Sequence, residues 1–150
     1  MWRNKILEKV DEATNVIETI RREKWGTAMP KLLIIDDESD IREFARSYFK
    51  KRGMEMFTAS DGHEGLDIIS AENPDLVLLD MRMDGISGIE VLQEMRAKNF
   101  QNKVILITGA EDPDMGDQAR ALGIVDFVHK PLILSELEKI VMRELGGNVK

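Results

Sequence analysis

From Lys31 onward the chain alternates short apolar runs with longer stretches in which apolar residues recur every three or four positions. The runs are Lys31-Leu-Leu-Ile-Ile35, Glu55 to Ala59, Asp75-Leu-Val-Leu-Leu-Asp80, Lys103-Val-Ile-Leu-Ile107 and Ile124-Val-Asp-Phe-Val128. A run of four apolar residues without polar alternation reads as a strand covered on both faces. Between the runs lie five helical patterns. The first has Ile41, Phe44, Ala45, Tyr48 and Phe49 as its inner stripe, Ser39 as its cap and Gly53 at its end. The second spans Gly62 to Ala71 and stops at Asn73-Pro74. The third carries Ile89, Leu92 and Met95 at core spacing. The fourth opens at Asp112-Pro113 and closes at Gly123, and the fifth starts near Ser135 with Leu137, Ile140, Val141 and Leu145 inward. Strands alternating with helices predict an α/β domain over residues 29–150, a parallel sheet with helices on both faces.

Residues 1–25 carry one long polar-rich helical pattern, separated from the sheet by Gly26-Thr-Ala-Met-Pro30. Ile6, Ala13 and Ile20 at d positions with Val10 and Ile17 at a positions give barely three heptads, flanked by Arg3 and Lys24. The expectation for residues 1–28 is an N-terminal helix that dimerises as a short coiled coil, since a helix of this length is marginal in water unless it packs on something. Folding back on the sheet domain, or standing as the remnant of an upstream domain, are the other readings.

Composition narrows the function. At 150 residues and 43% hydrophobic content, the chain can bury one real core. No apolar run approaches the roughly 20 residues that span a bilayer, and Met-Trp-Arg-Asn-Lys leads into a charged helix, so a cytoplasmic protein without membrane contact is expected. The absence of cysteine excludes disulfides, thiolate catalysis and cysteine zinc sites. Two histidines, His63 and His129, are too few for a histidine-rich metal site, and both read as surface residues. The nine methionines read as core filling. The net charge is −7; residues 1–29 hold six basic and five acidic residues, which leaves −8 on the remainder and opposes direct contact with nucleic acid.

The strand ends carry the chemistry. In a five-stranded doubly wound sheet of order 2-1-3-4-5, ligands bind at the carboxyl edge, in the crevice between the first and third strands. Asp36 and Asp37 follow the first strand, Asp80 closes the third, Thr108-Gly109 follow the fourth and Lys130-Pro131 the fifth. Two unit charges about 4 Å apart repel by about 4 kcal/mol at an effective dielectric near 20, so three carboxylates in one cleft require a counter-charge. Hard oxygen ligands at an open edge suit Mg²⁺. Lys130 can neutralise phosphoryl oxygens, the Thr108 hydroxyl can donate to another, and Gly109 leaves room. Asp80 is then the nucleophile that forms an acyl phosphate.

These residues resemble the receiver domains of two-component response regulators, of the chemotaxis-receiver-like kind, over roughly residues 31–145. The loop Asp80-Met-Arg-Met83-Asp-Gly85-Ile-Ser-Gly88 is also similar to that family's loop, with Met three and Gly five and eight residues after the aspartate. The resemblance implies a flavodoxin-like fold, transfer of a phosphoryl group to Asp80 from a histidine kinase or phosphotransfer protein, and Mg²⁺ held by Asp37, Asp80 and the Arg82 backbone carbonyl, with Asp36 acting through water. It also implies that Thr108 shifts toward the phosphoryl group while Phe127 turns inward, remodelling the face of the fourth helix, fifth strand and fifth helix for a downstream partner. Asp84 stands where the family usually has proline, Arg82 sets a cation beside the site, and Phe127 lacks a phenol. With five residues after Leu145, the expectation is a signalling module without its own output domain that catalyses only its own phosphorylation and dephosphorylation. A receiver fragment of a hybrid kinase is a second reading. A Mg²⁺-dependent phosphatase or phosphotransferase with an aspartyl-phosphate intermediate is a third, although such haloacid-dehalogenase-like enzymes place an Asp where Arg82 stands. An FMN carrier would need a phosphate loop where Asp36-Asp37 would repel the ligand.

Overall fold

The computed structural model describes residues 29–109 and 113–146, with positions 12, 15, 16, 19, 20, 23, 25 and 26 ahead of them. In chain order the elements are β1 (Lys31–Ile35), α1 (Ser39–Lys50), β2 (Glu55–Ala59), α2 (Gly62–Glu72), β3 (Leu76–Asp80), α3 (Gly88–Ala97), β4 (Lys103–Thr108), α4 (Pro113–Ala121), β5 (Asp126–His129) and α5 (Leu134–Leu145). Every strand pairing is parallel, and the order is β2-β1-β3-β4-β5, the flavodoxin-like order expected.

Alternate residues of β1, β3 and β4 feed two separate cores, which is why these strands are apolar without interruption. Leu33, Ile35, Val77, Leu79, Val104 and Leu106 meet α2, α3 and Ala119 of α4 on one face. Leu32, Ile34, Leu76, Leu78, Ile105 and Ile107 meet Ala45 and Phe49 of α1 and Leu137 and Val141 of α5 on the other. All twelve strand residues are fully buried, so the strand ends they support are held in a stiff frame.

Three sequence expectations are corrected. Phe44 is not on the inner stripe but 67% exposed, because α1 turns Ala45 and Phe49 to the sheet and Phe44 falls about 100° away from Ala45. Ser39 is the first helical residue rather than the cap; Glu38 occupies the cap position, without a side-chain cap bond. The fifth strand begins at Asp126, two residues later than the apolar run. There Asp126 Oδ1 accepts the Phe127 N–H at 2.7 Å and Oδ2 pairs with Arg143 Nη2 at 2.9 Å.

The coiled-coil positions Ile6, Val10, Ala13 and Ile17 lie outside the described residues. The end of that segment is tied to the sheet domain. Trp25 packs against the core shared by α1 and α5, and its indole N–H donates to the Arg52 carbonyl at 3.0 Å. Arg52 in turn covers the Tyr48 ring at 3.5 Å and bonds Glu138 Oε1 at 2.6 Å, while the Tyr48 hydroxyl donates to Glu138 Oε2 at 2.6 Å. Among the described residues no helix is long and apolar enough to cross a membrane.

Candidate functional site

Beyond β1 the Asp36 N–H still bonds the sheet, donating to Ala59 O at 3.1 Å. This draws the carboxyl group to the sheet edge, where it is fully buried. Asp36 Oδ1 accepts the Glu38 N–H at 2.9 Å, a local turn that starts α1. Asp36 Oδ2 is buried with no hydrogen-bond partner among the described residues. Asp37 is exposed, and its Oδ2 accepts the Asp84 N–H from the loop after β3 at 3.4 Å.

Asp80 ends β3 with 1% of its surface exposed. Its Oδ1 accepts the Arg82 N–H at 3.3 Å, and its Oδ2 pairs with Lys130 Nζ at 3.2 Å. Gly88 keeps the loop tight. Its N–H donates to Met81 O at 2.9 Å, and a Cβ there would collide with the Asp80 carbonyl oxygen and lie 2.8 Å from the Met81 Cα. Only glycine lets α3 start this close to the strand end that carries the carboxylate.

Lys130 reaches Asp80 across the end of β4. Its backbone N–H donates to Thr108 O at 2.9 Å, and its Cδ would lie 3.7 Å from a Cβ on Gly109, so the stem runs close past that glycine. Thr108 is 6% exposed and pairs in register with His129. The peptide between Lys130 and Pro131 is cis.

Electrostatics tie these groups together. Burial raises the Asp36 pKa from the ordinary 3.8 to about 6; the Glu38 N–H opposes the rise, repulsion from Asp80 adds to it, and the Lys130 charge offsets part. Burial likewise raises the Asp80 pKa, against the hydrogen bond and charge of Lys130 and the Arg82 N–H, with Asp37 adding repulsion. For Lys130 burial acts to lower the pKa, but the bond to Asp80 and the charges of Asp80, Asp36 and Glu38 outweigh it and the net shift is upward.

An excess of carboxylates over ammonium groups, with one buried oxygen unpartnered, is the donor set of a hard divalent cation. Asp36, Asp37 and Glu38 each bring a carboxylate oxygen to a common point, all within 4.8 Å of one another. The residues therefore fit Mg²⁺. Glu38 adds a carboxylate that the strand-end pattern alone does not single out, although the acidic run Asp36-Asp37-Glu38 signals it.

Asp36, Asp37, Asp80 and Lys130 thus meet at one edge, and Thr108 joins them through the Lys130 backbone. Arg82 contributes its N–H, while its side chain is exposed. Phe127 stands apart. Its half-buried ring packs toward α4, with the Arg120 guanidinium 5.1 Å from its centroid and the Gly116 position beside it.

Residues 32–142 match the response regulator receiver domain family. The chain is 37% identical over 115 residues to the sporulation initiation phosphotransferase F of Bacillus subtilis, covering 77% of this chain and 93% of that protein. It is 37% identical over 119 residues to the regulatory protein AtoC of Escherichia coli, where the match covers 79% of this chain but only 26% of that longer protein. Among solved structures it resembles the response regulator protein TrrA of Thermotoga maritima in complex with Mg²⁺-BeF, at a TM-score of 0.68 and 36% identity, covering 77% of this chain and 99% of that one.

Proposed function

Since this chain belongs to the response regulator receiver domain family, and so is a phosphoacceptor signalling module, we propose that Asp80 is the residue that accepts the phosphoryl group. The observation that carries this reading is the Asp80–Lys130 ion pair standing beside the unpartnered Asp36 oxygen at the carboxyl edge of the sheet. An Asp80 carboxylate oxygen attacks phosphorus and forms the acyl phosphate bond. The bond from phosphorus to the histidine nitrogen of a kinase or phosphotransfer protein breaks, and that nitrogen keeps the electron pair. Lys130 moves from Asp80 to a phosphoryl oxygen, and the Thr108 hydroxyl donates to another.

Asp37, Asp80 and the Arg82 carbonyl would hold Mg²⁺, with Asp36 acting through water. When bound, the ion neutralises charge that builds on the transferring group. Arg82 and Asp84, at the rim, tune how long the acyl phosphate survives. Thr108 and Phe127 carry the change to the α4, β5 and α5 face, where a protein target reads it; Phe127 acts there by packing alone. In this reading the chain is not a turnover enzyme and works in the cytoplasm without direct contact with membrane or nucleic acid. Residues 1–28 support a homodimer.

The test is intact-mass analysis after incubation with acetyl phosphate. One phosphoryl adduct, sensitive to hydroxylamine and abolished by a Mg²⁺ chelator, is expected. An adduct indifferent to either reagent contradicts the reading.

A further inference from the structure

Asp36, Asp37 and Glu38 form a turn of three residues between β1 and α1, with their carboxylates crowded together. Mutual repulsion favours splaying such a turn. Two bonds from backbone N–H groups resist it, Asp36 N–H to the Ala59 carbonyl and Glu38 N–H to the Asp36 carboxylate Oδ1. The third restraint is a side chain. Arg42, half-buried on α1, donates from Nη1 to the Asp36 carbonyl oxygen at 2.7 Å.

Arg42 is badly placed for any purely helical purpose. It lies in the opening turn of α1, where the helix dipole disfavours a cation, and it makes no ion pair among the described residues. Its stem folds back toward the helix start, as helix geometry directs, and delivers the guanidinium to one carbonyl. That carbonyl belongs to the peptide joining Asp36 to Asp37. A charge-assisted bond to it fixes the peptide plane, and with it the angle between the buried Asp36 carboxyl and the exposed Asp37 carboxyl.

We propose that Arg42 is a positioning residue for divalent-cation binding: it holds the Asp36–Asp37 peptide so that both carboxylates face the same point, without itself touching the cation or the phosphoryl group. This rests on the reading of Asp36 and Asp37 as the metal residues. The sign of the effect separates it from simple charge. A bare cation at residue 42 repels Mg²⁺, so its removal would tighten binding; a clamp strengthens binding, so its removal weakens it.

The experiment titrates the full chain with MgCl₂ alone, following backbone amide shifts of residues 36–38 by NMR, with thermal melting as a check on folding. Arg42→Met keeps the stem and removes the donor; it is expected to raise the dissociation constant about tenfold, the effect typical of a residue that supports a metal ligand. Arg42→Lys, which keeps a charged donor, is expected between Met and wild type. A Met variant that binds as well as wild type, or more tightly, overturns the proposal. If that variant does not fold, the Lys variant is judged by the same criterion, weaker binding supporting the clamp and unchanged binding overturning it. Asp37→Asn separates the premises. If it binds Mg²⁺ like wild type, the metal reading has failed; if it loses binding while Arg42→Met does not, only the clamp has failed.

Discussion

At the scale of single residues, the site is a place where the fold accepts instability. Asp36 holds a carboxylate oxygen that is buried and unpartnered, and its pKa stands near 6 rather than 3.8. The folded chain therefore binds a proton that the unfolded chain has released between those values, so the contribution of Asp36 to stability falls as pH rises through this window and is fully lost above about 6. Asp80 is raised in the same direction. Asp36→Asn removes the buried charge and should stabilise the Mg²⁺-free chain at pH 7 by about 2–3 kcal/mol, with the gain shrinking toward zero as pH falls to 4. Denaturant titrations of both chains across that range check this; a gain independent of pH would refute it. The same substitution should weaken Mg²⁺ binding, a trade of function against stability of the kind expected where a ligand supplies the missing partner.

At the scale of elements, the carboxyl ends of the strands assemble the site and the turns after them aim it. Gly88 is the tightest of these junctions. Gly88→Ala forces the start of α3 away from the Asp80 carbonyl and should cost about 1–3 kcal/mol, seen as a lower melting temperature together with slower phosphorylation; unchanged values of both would contradict the close approach. The Ser87 cap, which accepts the Glu90 N–H at 3.3 Å, cannot compensate because it fixes the helix and not the loop. The runs of β1, β3 and β4 were legible because burial on both faces leaves them no polar alternation, and the aspartates stood out as charges at their ends. The late start of β5 at Asp126, the exposure of Phe44 and the bare Glu38 cap were not legible, since each depends on how a neighbouring element packs rather than on local period. The closeness of the Glu38 carboxylate to those of Asp36 and Asp37 and the reach of Arg42 depend on the backbone path after β1, which no spacing rule encodes.

At the scale of the whole molecule, a stiff two-sided sheet carries chemistry at one edge, while Trp25 fastens the N-terminal segment to the core of α1 and α5. Trp25→Ala should lower stability by about 1–3 kcal/mol through lost apolar burial and one hydrogen bond, with phosphorylation unaffected; a loss of phosphoacceptor activity without loss of stability would mean the anchor communicates with the site. Light scattering should find a concentration-dependent dimer that becomes monomeric when residues 1–28 are deleted, and a full-length monomer would rule out the coiled coil. Capture of the phosphoryl group by Asp80 is the step on which the proposed function depends. It is tested most directly by incubating wild type and Asp80→Asn with Mg²⁺ and radiolabelled acetyl phosphate, or with a phosphorylated kinase. Label is expected on the wild type and none on the variant; a variant labelled as well as the wild type would contradict the role of Asp80.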